Sequence, residues 1–199
     1  MKHLLSVPPG ARSHPLLCFL HGYDEAEPTP LEEALTRHGP LRPGNPACVR
    51  ERFIVVAPQL PFAGDVWHRY ARDVHQLMSD TLERHGGDAA RTYLCGFSFG
   101  ANGVFDLADF EPHSWAALWA VDPTRVPRRP VRQPVWLSVG EATRHYREPF
   151  IGALALERAS AEPQGRRIYE DRGDDHLGAA RRAYADERIY SWLLRFRAG

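Results

Sequence analysis

Short apolar runs alternate along this chain with longer stretches whose apolar positions recur at helical spacing. Runs of the first kind read as buried strands and stretches of the second as amphipathic helices. The alternation therefore predicts a mostly parallel sheet flanked by helices. Leu16-Leu17-Cys18-Phe19-Leu20 is the first buried strand, and Leu31, Ala34, Leu35 and His38 then follow helical spacing until Gly39-Pro40 stops them. Phe53-Ile54-Val55-Val56-Ala57 is the next strand, ended by Pro58. Asp65 is placed to cap a helix with Tyr70, Val74, Leu77 and Thr81 on its inner face, closing at Gly86-Gly87. Thr92-Tyr93-Leu94-Cys95 reads as a strand and Ala101 to Phe110 as a helix. Trp115 to Val121 and Val135 to Val139 are two more strands, and Arg167-Ile168-Tyr169 a shorter one. A last helix starts at Asp186, with Ile189, Trp192, Leu193 and Phe196 as its apolar stripe. The prolines between residues 123 and 134 mark one long loop, and no internal repeat or low-complexity tract interrupts the pattern.

One junction in this pattern carries chemistry. The strand ending at Cys95 runs into Gly96-Phe97-Ser98-Phe99-Gly100, and a helix follows. A strand-to-helix elbow lifts a serine hydroxyl out of the sheet and requires small residues two positions to either side. Gly96 and Gly100 meet that need, while Gly103 lets the following helix pack closely. Ser98 is thus expected to be the nucleophile of an α/β-hydrolase, with the helix N-terminus placing positive dipole beside it. A phosphate loop is excluded, since no Gly-Lys-Ser/Thr follows.

The partners of Ser98 follow from the same fold logic. The amide of Phe99, directly after the serine, is one expected oxyanion donor. The loop after the first strand, His21-Gly22-Tyr23, supplies the second, for which the Tyr23 amide is preferred; His21 is expected to brace nearby loops. The acid and then the histidine come after the serine in chain order. His176, in the polar loop Gly173-Asp174-Asp175-His176-Leu177-Gly178, is the expected base, whereas His113 and His145 suit surface positions. The acid is less sharply marked. The loop after Val135 to Val139 reads Gly140-Glu141-Ala142-Thr143, so threonine stands where an aspartate is expected. Asp122 at the end of the preceding strand is favoured, Glu141 is the alternative, and a dyad with no acid is the third reading. Asp174 and Asp175 suit a solvated turn. Tyr23, Trp67, Phe97 and Phe99 are expected to line the mouth, Trp67 and Phe97 among them as substrate-binding residues.

Composition narrows the partners without changing that picture. The 199 residues suit a single α/β-hydrolase domain, residues 1–199, with no large lid and therefore an open, shallow site. With 43% hydrophobic and 25% charged residues the chain is ordinary globular protein. Its 25 basic residues balance 25 acidic ones, which leaves no electrostatic footprint for nucleic acid or an anionic membrane. Met1 to Arg12 lacks an apolar core of signal-peptide length, and no stretch approaches the roughly 20 apolar residues of a membrane span. Three cysteines, two inside apolar runs, fit free thiols in a reducing cytoplasm. His68 and His75 share one predicted helix but lack cysteine or carboxylate spacing for zinc, so neither metal nor organic cofactor is expected. A small acyl compound is the expected partner, and the oligomeric state is left open.

Several blocks of residues also resemble a known family. Leu20-His21-Gly22, Pro30-Leu31-Glu32, Arg37-His38-Gly39-Pro40-Leu41 and Phe53-Ile54-Val55-Val56-Ala57-Pro58-Gln59 with Trp67 downstream carry the first part of the likeness. Gly96-Phe97-Ser98-Phe99-Gly100 and the ending His176…Tyr184-Ala185-Asp186…Ile189-Tyr190-Ser191-Trp192-Leu193-Leu194 carry the rest. From Leu16 onward the chain resembles the predicted-esterase/peptidase branch of the α/β-hydrolases. That branch is similar to phospholipase/carboxylesterase-type enzymes and polyhydroxybutyrate depolymerase catalytic domains. The resemblance implies Ser98 as nucleophile, His176 as base and the Tyr23 and Phe99 amides as donors. Two departures stand out: Tyr23-Asp24 replace small residues and imply a narrowed acyl pocket, and Thr143 replaces an aspartate. A cytoplasmic serine esterase for small acyl esters is the first expectation. A non-catalytic hydrolase-fold protein that binds a ligand or partner is the second, and Thr143 is what favours it.

Overall fold

The computed structural model describes residues 1–10 and 13–199. Among these residues eight strands form one sheet: β1 (His3–Ser6), β2 (Leu16–Leu20), β3 (Ile54–Pro58), β4 (Thr92–Phe97), β5 (Ala117–Val121), β6 (Val135–Val139), β7 (Glu157–Arg158) and β8 (Arg167–Asp171). Their order is β1-β3-β2-β4-β5-β6-β8-β7. β1 pairs antiparallel with β3, and every other described pairing is parallel. Among the described residues eight α-helices accompany the sheet: α1 (Leu31–Arg37), α2 (Cys48–Arg52), α3 (Ala71–His85), α4 (Phe99–Phe110), α5 (Glu141–Arg144), α6 (Arg147–Leu154), α7 (His176–Tyr184) and α8 (Glu187–Leu193). No helix among the described residues is long and apolar enough to cross a membrane.

The continuous apolar runs have a direct cause. Helices cover both faces of the sheet, so every residue of β2 to β6 is buried and neither face needs polar side chains. Side chains still alternate between the two faces. Leu16, Cys18 and Leu20 join a core with Trp67, Val74 and Met78 under α3, Val104 and Phe105 of α4, and Phe150 of α6. Leu17 and Phe19 join the opposite core with Leu35 of α1, Tyr184 of α7, and Tyr190 and Trp192 of α8. The C-terminal ends of β2, β4 and β5 lie side by side in the sheet, and in open α/β sheets that edge is where ligands bind.

The departures from expectation are local. Asp65 does not cap a long helix. It accepts the Val66 amide at 2.8 Å and the Tyr70 hydroxyl at 2.7 Å, holding a 3-10 turn (Trp67–Tyr70) ahead of α3. α4 begins at Phe99 rather than Ala101, directly against the serine. His176 opens α7, capped by the Asp175 side chain, where a loop was expected. The segment after β6 holds α5, α6 and β7, and α6 buries Phe150 and Leu154 in the core.

Candidate active site

β4 delivers Ser98 to the edge of the sheet in a backbone conformation that few residues tolerate. Ser98 has φ 56° and ψ −117°, and such a position costs about 1–3 kcal/mol that the surroundings must supply. Ser98 N donates to Val121 O at 2.9 Å, and Asn102 N donates to Ser98 O at 3.1 Å, which together lock the turn. A Cβ at Gly96 would overlap the Gly100 carbonyl, and a Cβ at Gly100 would overlap that of Leu20. Both glycines are therefore needed for the elbow to close against β2.

His176 reaches this serine from the head of α7. Its Nε2 lies 3.0 Å from Ser98 Oγ and its Nδ1 lies 2.6 Å from Asp122 Oδ2. A carboxylate against Nδ1 places the imidazole proton there and leaves Nε2 as an acceptor toward the hydroxyl. The ring is also backed by Phe97, with centroids 4.6 Å apart. Behind it, Arg144 donates to Asp171 Oδ1 at 2.9 Å and to the Asp174 carbonyl at 3.0 Å, tying the histidine loop to α5.

Asp122 completes the chain, and Glu141 does not. Glu141 is exposed, whereas Asp122 is fully buried at the end of β5 with φ 46°. The segment after β6, where an aspartate was expected, supplies backbone donors instead. Asp122 Oδ1 accepts the Gly140 amide at 3.0 Å and the Thr143 amide at 2.7 Å, while Oδ2 accepts the Ala142 amide at 3.2 Å. Thr143 turns its hydroxyl to the Pro123 carbonyl at 3.0 Å. Burial pushes the Asp122 carboxyl up, but the hydrogen bonds from His176 and Thr143 outweigh it and hold the group below its ordinary value.

The loop after β2 approaches the serine from the other side. A Cβ placed on Gly22 would stand 3.5 Å from Ser98 Cβ. His21 is fully buried; its Nε2 accepts the Leu60 amide at 3.0 Å, and its Nδ1 therefore donates to Gly22 O at 2.6 Å. Burial lowers His21 to about 4, which keeps it neutral and suited to both bonds. In a planar trans peptide the N–H points opposite to the C=O. Gripping the Gly22 carbonyl thus aims the Tyr23 amide away from His21. Tyr23 opens a single 3-10 turn (Tyr23–Glu25) and Phe99 opens α4, so each amide belongs to a first turn with no acceptor of its own. Their rings stack edge-on with centroids 5.2 Å apart.

Two aromatic residues expected at the mouth lie elsewhere. Trp67 is buried beneath the loop after β2, where its Nε1 donates to the His21 carbonyl at 3.1 Å and its ring occupies the space left by Gly103. Phe97 is buried between His38 and His176 and backs the His176 ring instead of meeting solvent. Tyr23, half-exposed, and Leu177, next to His176, offer apolar surface near the serine. One buried group escaped the sequence altogether: Glu25, whose Oε2 accepts the Gly22 amide at 2.6 Å.

No family model matches the chain, and no curated protein matches it in sequence. Solved structures do match. A thermostable esterase superposes with a TM-score of 0.69 at 19% identity, over 98% of this chain and 59% of that one. The chain thus spans 59% of the esterase's length. The fluorophosphonate-binding serine hydrolase F of Staphylococcus aureus, solved with substrate bound, also gives a TM-score of 0.69, at 11% identity over 96% of this chain and 91% of its own. At these identities the likeness is one of architecture. The chain has the α/β-hydrolase fold, as one mostly parallel sheet flanked by helices.

Proposed function

We propose that this protein is a serine hydrolase that cleaves small acyl esters through an acyl-enzyme, with Ser98, His176 and Asp122 as its triad. The unbroken hydrogen-bonded chain from Ser98 Oγ through His176 to buried Asp122 carries this reading. Ser98 Oγ attacks the ester carbonyl carbon while its proton passes to His176 Nε2. The carbonyl oxygen becomes an oxyanion, held by the Tyr23 and Phe99 amides. Collapse of the intermediate breaks the ester C–O bond, the leaving alkoxide takes the proton from His176, and the acyl group remains on Ser98. Water then attacks the acyl carbon with the same proton route, releasing the acid and restoring the serine. Asp122 stays ionised throughout and stabilises the imidazolium, so every step is carried by side chains and amides of this chain. The fold shared with an esterase and a fluorophosphonate-binding serine hydrolase supports the same chemistry. Three free cysteines, two of them fully buried, fit a cytoplasmic protein.

A fluorophosphonate probe followed by peptide mass spectrometry is the test. The expected result is a single adduct on Ser98, lost in Ser98→Ala, with turnover of p-nitrophenyl esters greatest for the acetate and falling away as the acyl chain lengthens. A folded wild-type protein that takes no label and turns over no ester overturns the assignment.

A further inference from the structure

Glu25 lies in a polar stretch, Tyr23-Asp24-Glu25-Ala26-Glu27, yet it is 3% exposed while Tyr23 and Asp24 face solvent. Its main chain is pinned as well as its side chain. Gln59 Nε2 donates to the Glu25 carbonyl at 3.0 Å and to the Thr29 carbonyl at 2.8 Å. The carboxylate then turns back to receive the Gly22 amide. Glycine is the most conformationally free of residues, and this one sits immediately before the Tyr23 amide. Two side chains remove that freedom: His21 holds the peptide after Gly22 by its carbonyl, and Glu25 holds the peptide before it by its N–H. A side chain at position 22 would press on Glu25 Oε2, at 3.0 Å from a Cβ there.

The groups that face the carboxylate come from each neighbouring element. From the end of β2, His21 Nδ1 lies 4.0 Å from Oε2, and from the end of α1, His38 Nε2 lies 3.6 Å from Oε1. The charges of Arg37 on α1, Asp24 on the same turn and His176 at the head of α7 also act on it. His38 is lowered to about 4 by burial and by Arg37, Arg181, Arg42 and His176, so neither neighbouring histidine brings a positive charge at neutral pH.

We infer that Glu25 is a positioning residue for the Tyr23 oxyanion amide, and that it holds the loop in its ionised form. The inference rests on the hydrolase assignment above. A carboxylate binds an amide about twice as strongly as a neutral acceptor does. Protonating Glu25 weakens the grip on Gly22 and lets the peptide plane that carries the Tyr23 N–H swing. Burial pushes the Glu25 carboxyl up to about 7, against the lowering by the Gly22 amide, Arg37 and His176. The loop therefore loosens as pH falls through the neutral range. Activity falls over that range as the oxyanion loop loosens.

Wild type, Glu25→Gln, Glu25→Ala and Ser98→Ala are compared with p-nitrophenyl acetate and a fluorophosphonate probe from about pH 5 to pH 9. Glu25→Gln keeps an acceptor for Gly22 but has no proton to gain. It is expected to lower kcat about tenfold at alkaline pH with KM within about twofold, and to remove the inflection that Glu25 places near pH 7. Glu25→Ala is expected to lower kcat about a hundredfold. Circular dichroism and thermal melting establish the folded fraction of each variant. A Glu25→Gln protein with the wild-type kcat and the wild-type pH profile overturns the inference. So does a loss that only tracks the folded fraction. A folded wild type that never labels defeats the hydrolase assignment itself, and is told apart from the other outcomes by the Ser98→Ala control.

Discussion

Replacing Asp122 with asparagine tests the least conventional part of this site. The substitution keeps the shape of the side chain but exchanges one acceptor oxygen for an NH2 group. Oδ1 can remain where it accepts the Gly140 and Thr143 amides. The new NH2 then faces two donors, the Ala142 amide and the His176 Nδ1–H that Oδ2 accepted. Donor meets donor, and the imidazole relieves the conflict by moving its proton to Nε2. In that tautomer Nε2 cannot accept the Ser98 proton, and no buried anion offsets the imidazolium. Loss of both functions is expected to cost about 4–5.5 kcal/mol in the barrier, a fall of about a thousandfold to ten-thousandfold in kcat/KM. Steady-state hydrolysis of p-nitrophenyl acetate reads the loss, and Glu141→Ala, at an exposed position, is the control expected to stay within about twofold. A fall of less than tenfold in Asp122→Asn, or a larger loss in Glu141→Ala, would show that the acid has been placed wrongly.

Other parts of the scaffold make narrower predictions. Trp67→Phe leaves the buried His21 carbonyl without its indole donor, so thermal melting should show a loss of about 1 kcal/mol with KM unchanged; a large KM shift would place Trp67 on the substrate after all. Arg144→Ala frees the loop before His176 from its ties to Asp171 and Asp174, and kcat should fall about tenfold at constant KM in the same ester assay. Stability should also depend on pH through Glu25, raised from 4.5 to about 7 by burial. Between those values the folded protein holds a proton that the unfolded chain has released, so the Glu25 contribution is fullest below about 4.5 and is lost as pH rises through about 7. The contribution is about 3 kcal/mol, measurable by urea unfolding, and Glu25→Gln should flatten it; a wild type that gains stability over that window contradicts the burial argument.

How far the site could be read from the chain depended on how local each signal was. Ser98 and His176 follow from short patterns: glycines at fixed offsets from a serine between strand and helix, and a histidine late in chain order. Asp122 was reachable only as one of two carboxylates, because its fitness depends on where the amides of residues 140, 142 and 143 point, and that is set by tertiary packing. The threonine that looked like a missing acid contributes one of those amides. α7 was legible in retrospect, since Ala179, Ala180, Ala183 and Tyr184 recur at helical spacing behind the Asp175 cap. The edge strands β1 and β7 are short and not fully buried, so no apolar run announces them. Gly103 and Trp67 show how a correct premise reached a wrong placement. The glycine was read as permitting close packing, and it does, but the body that packs there is the tryptophan assigned to the mouth. Glu25 carries the subtlest signal, a glutamate three residues after a glycine that begins a turn, which is capping-box spacing without the usual serine. A solvated acidic run and a buried carboxylate beside an oxyanion amide look alike until the chain is folded. The difference lies in what covers them, and here His38, Gln59 and the gripped Gly22 peptide do the covering.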